Sequence, residues 1–345
     1  MIKDRYIQAI KGLCIIFVVM IHLPWGGWNE NNEWDIYLWI SARKIVNFAV
    51  ATFFVLSAYY TKPYEELNAN GLSSYYKKRF KRLLLPYTFW SIIYIFILPM
   101  IREGEVDSNW QYLIWSGSGP LYFLLALFQL TLLTPFLQKY KTMPVCNYLF
   151  WLVTPLYLIF YYTYNYKTGH EFKPEQFFCF PWFSAYYLGL KLQDTNMERF
   201  KKNPILIFAL VWITLLFSLI ESMLIFRGTG ILSFAISQIT LGSILYSLCI
   251  NIALFIGKNQ FINDSSFLSR LGDYSMGIFL IHPLFNWIFK FVICHLPISI
   301  VNYANPMDYM FSHILILILS VMSSYYSVKY LSRKFSKLNI YLGLK

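Results

Sequence analysis

Apolar runs long enough to cross a bilayer recur along the whole chain, and no other feature restricts its folding so strongly. A helix needs about 20 residues to span the hydrocarbon, within a range of about 17 to 25. Runs of that kind extend from Ile7 to Trp25, Ile40 to Tyr60, Leu83 to Ile101, Pro120 to Leu137 and Val145 to Tyr162. Five more run from Phe177 to Leu192, Pro204 to Phe226, Ile231 to Gly257, Gly272 to Ile293 and Asp308 to Leu331. The sixth is short and contains Pro181, so the pattern is weakest there. In lipid the backbone must satisfy its own hydrogen bonds, which a helix does within one segment. The expected fold class is therefore all-α, a polytopic transmembrane helical bundle of about ten helices. No internal repeat, low-complexity stretch or long linker interrupts the series. One membrane-embedded domain over residues 1–345 is expected, with no soluble extracytoplasmic domain.

Composition agrees. Only 13% of the 345 residues are charged and 57% are hydrophobic, whereas a soluble domain carries roughly a quarter charged residues. The net charge of +12 does not point to nucleic acid, because the Lys and Arg residues sit in short clusters between apolar runs. Lys3 and Arg5 before an apolar run resemble a signal peptide, but no small-residue cleavage site follows soon after Trp25 and nine further runs come later. The first run reads as a retained span. Cys14, Cys146, Cys179, Cys249 and Cys294 have no metal-type spacing, so neither a metal site nor a disulfide framework is implied.

Orientation follows from the basic residues. With the N-terminus inside, the cytoplasmic segments hold 22 of the 29 Lys and Arg, as the positive-inside rule requires. The outer segments are acidic or neutral, as in Asn29-Glu30-Asn31-Asn32-Glu33 and Glu103-Gly104-Glu105. Both termini are expected in the cytoplasm.

A few polar residues inside or beside these spans could carry chemistry. Lys11 and His22 are eleven positions apart, which places them on one stripe of a helix, about 16 Å apart along its axis. Intramembrane ionisable groups face a cavity or a partner by default, although a snorkelling lysine and an interfacial histidine would give the same pattern. In Lys77-Lys78-Arg79-Phe80-Lys81-Arg82, Arg79 and Arg82 lie three apart and point the same way. Paired guanidinium forks suit phosphate oxygens; an ordinary stop signal is the plainer reading. In the ninth run, Ser275 and His282 are two turns apart and share a face. Pro283 removes a backbone donor and frees a carbonyl one turn back, as in a kinked, cavity-lining helix. Glu221 in the seventh run needs a partner, for which Arg227 and Arg43 are candidates, or else lies in the interface. Asn47 and Asn251 fit interhelical hydrogen bonding.

These separated patterns resemble the acyltransferase-3 family of bacterial inner-membrane enzymes over nearly the whole chain. The family's first span has Arg or Lys, ten residues, then His, matching Lys11 and His22. Its Phe-Phe-x-x-Ser-Gly-Tyr-like stretch is Phe53-Phe54-Val55-Leu56-Ser57-Ala58-Tyr59 here, with Ala58 for Gly. Its Arg-x-x-Arg pair before Leu and Pro matches Arg79, Arg82, Leu83 and Pro86. Its Leu-Trp-Phe-Leu element is Leu121-Tyr122-Phe123-Leu124, and its late Ser-to-His element is Ser275 to His282 with Phe279 where Tyr is common.

The resemblance implies transfer of an acyl group, commonly acetyl, from cytoplasmic acyl-CoA to a hydroxyl of a cell-surface or lipid-linked glycan. In that reading Arg79, Arg82 and Lys11 bind the phosphates of acetyl-CoA. His22 acts as general base or as a covalent acyl carrier, and His282 and Ser275 orient it, bond the acceptor or stabilise the oxyanion. The expected partners are acyl-CoA, the glycan and the lipid bilayer of the bacterial inner membrane, with no nucleic acid; a homo-oligomer stays open. The rival from another class is a proton-coupled transporter or flippase with His22, Glu221 and His282 as a relay.

Overall fold

The expected apolar runs that fall on described residues are mainly helical, but the eighth is broken: a short helix, Leu232–Ala235, is followed by non-helical residues 236–240 before the helix resumes at Leu241. The computed structural model describes residues 4–23, 33–69, 71–103, 119–170, 178–195, 203–257, 267–295 and 306–344. The principal helices are α1 (Arg5–Ile21), α2 (Glu33–Val46), α3 (Phe48–Tyr59), α4 (Leu72–Ile92), α5 (Tyr122–Tyr140) and α6 (Pro144–Thr168). They continue as α7 (Phe183–Asp194), α8 (Pro204–Thr229), α9 (Leu241–Ile256), α10 (Phe267–Asp273), α11 (Ser275–His295) and α12 (Pro306–Lys334). No strand occurs among the described residues. The fold class is all-α.

Among the described residues, seven helical stretches are long and apolar enough to cross a membrane: Ile36–Tyr59, Leu72–Ile101, Gly119–Tyr140, Pro144–Thr168, Pro204–Thr229, Ser275–Val292 and Phe311–Lys334. The other three expected spans are helical but shorter. α1 has 17 residues, α9 has 16, and α7 has 12 because a 3-10 turn containing Pro181 precedes it. The run ends at Trp25 and Phe177, the stretches Asn29 to Asn32 and Gly104 to Glu105, and Lys3, Arg199, Lys201, Lys202, Lys258 and Lys345 lie outside the described residues, as do the side chains of Glu33, Glu103 and Cys294.

The chain forms two compact units, one of Met1–Ala49 with Gly257–Leu344 and one of Val50–Ile256. In the first, α1 begins at Asp4, whose Oδ1 accepts from the Ile7 N–H at 3.4 Å, satisfying one of the donors a helix start leaves open. Helices α1 and α10 then touch backbone to backbone. A Cβ added to Gly12 would fall on the Leu268 carbonyl, and one added to Gly272 would fall on the Gln8 carbonyl. Glycine at both crossing points lets the two main chains meet, the usual way membrane helices gain packing where water supplies no hydrophobic drive. Arg5 and Asp273 pair at 3.5 Å beside this crossing.

In the second unit the two aromatic motifs meet. Phe54, fully buried, stacks on Trp182 at 5.0 Å and meets the edge of Phe123 at 4.7 Å. The Phe-Phe stretch and the Leu-Tyr-Phe-Leu element therefore build one core rather than a binding surface. Helix α8 is inverted relative to a soluble amphipathic helix. Its buried residues are Leu215, Ser218, Ser222 and Ile225, on one stripe, while Ile205, Phe208, Trp212 and Ile220 face outward. Ser218 and Ser243 of α9 lie 3.2 Å apart across that seam, an apolar-out, polar-in arrangement suited to lipid.

Gly12→Val should put a side chain into the α1–α10 crossing and cost about 1–3 kcal/mol through forced separation. Gly228, with only the Tyr166 ring at 3.7 Å, should accept alanine without loss. Thermal unfolding of both variants in detergent checks this: the first melts clearly below wild type, and the second does not.

Candidate functional site

The first unit brings two of the expected residues together. His22 caps the C-terminus of α1, and its ring lies 5.3 Å from that of His282 in an edge-on arrangement at 60°. His282 is fully buried. Both imidazoles are fixed by main-chain carbonyls. Nδ1 of His22 bonds the Val18 carbonyl at 2.7 Å, and Nδ1 of His282 bonds the Phe279 carbonyl at 2.7 Å, with the Ile278 carbonyl at 3.3 Å. A carbonyl only accepts, so each Nδ1 carries a proton, and in the neutral ring Nε2 then presents a lone pair.

Pro283 explains the second of these bonds. A helical residue at 283 would donate to the carbonyl at 279, but proline has no N–H. The freed Phe279 carbonyl takes the imidazole of His282 instead. The Phe279 ring packs 6.0 Å from that imidazole and, being phenylalanine, offers it no hydroxyl. One turn further on, Asn286 is 3% exposed and donates from Nδ2 to the His22 carbonyl at 3.2 Å. From α2, Arg43 bonds the neighbouring Ile21 carbonyl. Two side chains thus hold the end of α1, where helix carbonyls lack backbone donors. Nε2 of His282 and Oδ1 of Asn286 are buried without a hydrogen-bond partner among the described residues. Two of the expected site residues of this unit stand apart. Ser275 opens α11 two turns before His282, about 10.5 Å along the axis, and bonds neither ring. Lys11 lies half-buried on α1.

The second unit holds a cationic cavity of its own. A cavity of about 310 Å³ is lined by Tyr60, Lys62, Glu66, Ser74, Lys78, Arg79 and Arg82, with Leu67 and Tyr75. Arg79 and Arg82 share it, as their spacing predicts. It runs along the first turns of α4, which starts at Gly71 with no side-chain cap. Open N–H groups and the positive end of the helix dipole favour an anion there. Tyr75 donates to the Thr131 carbonyl at 3.0 Å and lies under the Arg79 guanidinium at 5.2 Å. Lys62 pairs with Glu66 at 2.7 Å. Sequence reasoning passed over Lys62, Glu66 and Lys78, although Lys62 and Glu66 carry the i, i+4 spacing that signals a helical pair.

Glu221 departs from expectation. The partners found for it among the described residues are uncharged. Its carboxylate accepts from the Tyr162 hydroxyl at 2.5 Å and from the Gly242 N–H at 2.8 Å. Tyr162 in turn accepts from the Leu241 N–H at 3.0 Å. Glu221 and Tyr162 therefore satisfy the open donors at the start of α9, a capping role supplied from α8 and α6. Asn251 bonds the Ser247 carbonyl of its own helix at 2.7 Å.

A family model described as an acyltransferase domain matches residues 4–325. No curated protein and no solved structure matches the chain. The match takes in the helices that carry both sites, and the chain belongs to the acyltransferase-3 family as a multi-pass membrane acyltransferase.

Proposed function

We propose that the protein transfers an acyl group, acetyl in the first instance, from cytoplasmic acyl-CoA to a hydroxyl of a cell-surface or lipid-linked glycan. The membrane is the bacterial inner membrane, with both termini in the cytoplasm. The observation that carries this reading is the pair of imidazoles with Nδ1 tied to carbonyls and Nε2 left as acceptors.

A hydroxyl must lose its proton as it attacks a thioester, and a neutral imidazole is the usual base for that step. In this reading Nε2 of His22 takes the hydroxyl proton while the oxygen attacks the thioester carbonyl. The new C–O bond forms, the tetrahedral intermediate collapses with cleavage of the C–S bond, and the proton passes to the CoA thiolate. His282 bonds the acceptor beside it, and Asn286 holds the His22 main chain. The alternative in which His22 carries the acyl group covalently uses the same lone pair. Ser275 remains assigned to the oxyanion or acceptor by the family motif alone, as Lys11 does to the donor phosphates.

The donor's phosphates are assigned to Arg79 and Arg82, joined by Lys62 and Lys78. Two guanidinium forks, two ammonium groups and a helix N-terminus around one cavity make a set of donors suited to several phosphate oxygens. Against the relay of a proton-coupled transporter stands the state of Glu221, whose carboxylate is committed to Tyr162 and the Gly242 N–H.

Labelled acetyl-CoA supplied to membranes that hold the native glycan tests the chemistry. His22→Ala should lower label transfer by about 100-fold or more, the range a general base contributes; transfer at the wild-type rate would remove His22 from the mechanism. Replacing Arg79 and Arg82 with Gln should raise the KM for acetyl-CoA about tenfold or more, since each bond to a charged group is worth about 1.5–3 kcal/mol. The acceptor KM should stay put, and an unaltered donor KM rejects the phosphate role. Pro283→Ala returns a backbone N–H to compete for the Phe279 carbonyl and frees the His282 ring to turn. We expect a melting temperature at or above wild type together with at least a tenfold slower transfer, and full activity would show that the fixed tautomer is irrelevant.

A further inference from the structure

The segment after α3 supplies Tyr60 and Lys62 to the cationic cavity, and the side-chain amide of Gln193 gathers three carbonyls where it begins. Nε2 of Gln193, near the end of α7, donates to the carbonyls of Ala58 at 3.2 Å, Tyr59 at 2.7 Å and Thr61 at 2.5 Å. Its Oε1 accepts from Gln138 of α5 at 2.9 Å, and Gln138 also reaches the Lys62 carbonyl at 3.5 Å. Gln138 is 5% exposed and Thr61 is 4% exposed, so the partners of this amide are buried, while Gln193 itself is half-buried. Its direction is unambiguous. Three carbonyls can only accept, which turns the Gln193 NH2 toward them and its oxygen toward Gln138.

The clamp sits where electrostatics would otherwise oppose an anion. The end of a helix presents carbonyl oxygens without backbone donors and carries about half a negative charge. α3 ends at Tyr59, and the next residue lines the cavity that Arg79 and Arg82 share. Carbonyls turned toward phosphates would repel them. The Gln193 amide engages the Tyr59 and Thr61 oxygens and adds a second donor to the Ala58 oxygen, which also accepts from the Thr61 N–H at 2.9 Å; it brings no charge of its own and fixes the backbone on both sides of Tyr60.

The geometry points to Gln193 as a positioning residue of the donor site: by gathering the carbonyls of Ala58, Tyr59 and Thr61 it sets Tyr60 and Lys62 in the cavity wall and makes the end of α3 compatible with an anionic ligand. This rests on the reading of the cavity as the acyl-CoA site and adds a residue that contacts no substrate. Gln193 acts through the main chain, so its removal should weaken donor binding while leaving the chemical step intact.

Equilibrium binding of tritiated coenzyme A to the purified full-length protein separates the possibilities, with steady-state CoA release from acetyl-CoA as a second readout. Gln193→Leu keeps most of the side-chain volume and loses the amide. It should weaken coenzyme A binding at least fivefold, with the maximal rate at saturating acetyl-CoA within twofold of wild type. Gln193→Glu, which sets a carboxylate against three carbonyls, should weaken binding further. Asp194→Asn is the control for the same helix end. It breaks the 2.6 Å pair with Lys141 but spares the clamp, and should bind coenzyme A as wild type does. Wild-type affinity in a folded Gln193→Leu overturns the proposal, and so does an equal loss in Asp194→Asn, which would mark a general loosening of α7. Should Gln193→Leu fail to accumulate, Gln138→Leu removes the anchor of the clamp from α5, and wild-type affinity there overturns it as well. Wild-type protein that does not bind coenzyme A would sink the donor reading itself, an outcome distinct from the failure of Gln193.

Discussion

Main-chain carbonyls left without a backbone donor organise the polar chemistry of this protein. Inside a bilayer no water answers them, and an unsatisfied buried polar group costs several kcal/mol. Side chains answer instead. Asn286 and Arg43 take the carbonyls at the end of α1, His282 takes the one freed by Pro283, and Gln193 takes those of Tyr59 and Thr61 at the end of α3. Tyr75 takes the Thr131 carbonyl of α5. In each case, satisfying the backbone also fixes a side chain or segment of a candidate site. Solving the solvation of a membrane helix and arranging a reactive group are the same act here.

The same economy appears at the start of α9, with the sign reversed. There the open groups are N–H donors, and Glu221 with Tyr162 supplies the acceptors. A carboxylate in a span invites a functional reading, yet this one has a structural use that accounts for its charge and position. The two histidines differ from it in kind. Their Nδ1 atoms are engaged, but Nε2 of His282 has no partner among the described residues, and a buried acceptor in that condition calls for an explanation. The proposed role of His282 beside the acceptor supplies one.

Much of this was legible in the sequence where the signal is local. The apolar runs predicted the helices, with departures where Pro181 shortens α7 and where α1 and α9 stay just under the span length. The freed carbonyl before Pro283 followed from proline's missing N–H alone. The shared face of Arg79 and Arg82 followed from a spacing of three. What stayed hidden depends on pairs far apart in the chain. Gln193 meets Ala58 across 135 positions, Asn286 meets His22 across 264, and Tyr162 meets Glu221 across 59. A glutamine near the end of a span looks like any other interfacial residue, and the search for a partner to Glu221 went to opposite charge because a tyrosine or a backbone N–H leaves no signature. Ser275 and His282 show the converse. Their spacing gives them a common face, but two helical turns keep them from bonding each other.

The substitutions within the family motifs now have physical content. Ala58 stands where glycine is usual, and Gly189 of α7 packs against it, so close that a Cβ there would meet both the Ala58 methyl and the Val55 carbonyl. Close packing of α3 on α7 needs a small residue on both sides of the contact, and a methyl on α3 is tolerated because α7 presents none. Phe279 stands where tyrosine is common. Its ring keeps the packing against His282 but offers no hydroxyl to either imidazole. A tyrosine hydroxyl could engage a histidine nitrogen; here the carbonyl of Phe279 itself does so, through the proline that follows His282. The orientation of the imidazole in this chain therefore rests on the main chain of α11 rather than on a phenol. That makes it more dependent on Pro283 than a family member with tyrosine at the same place would be.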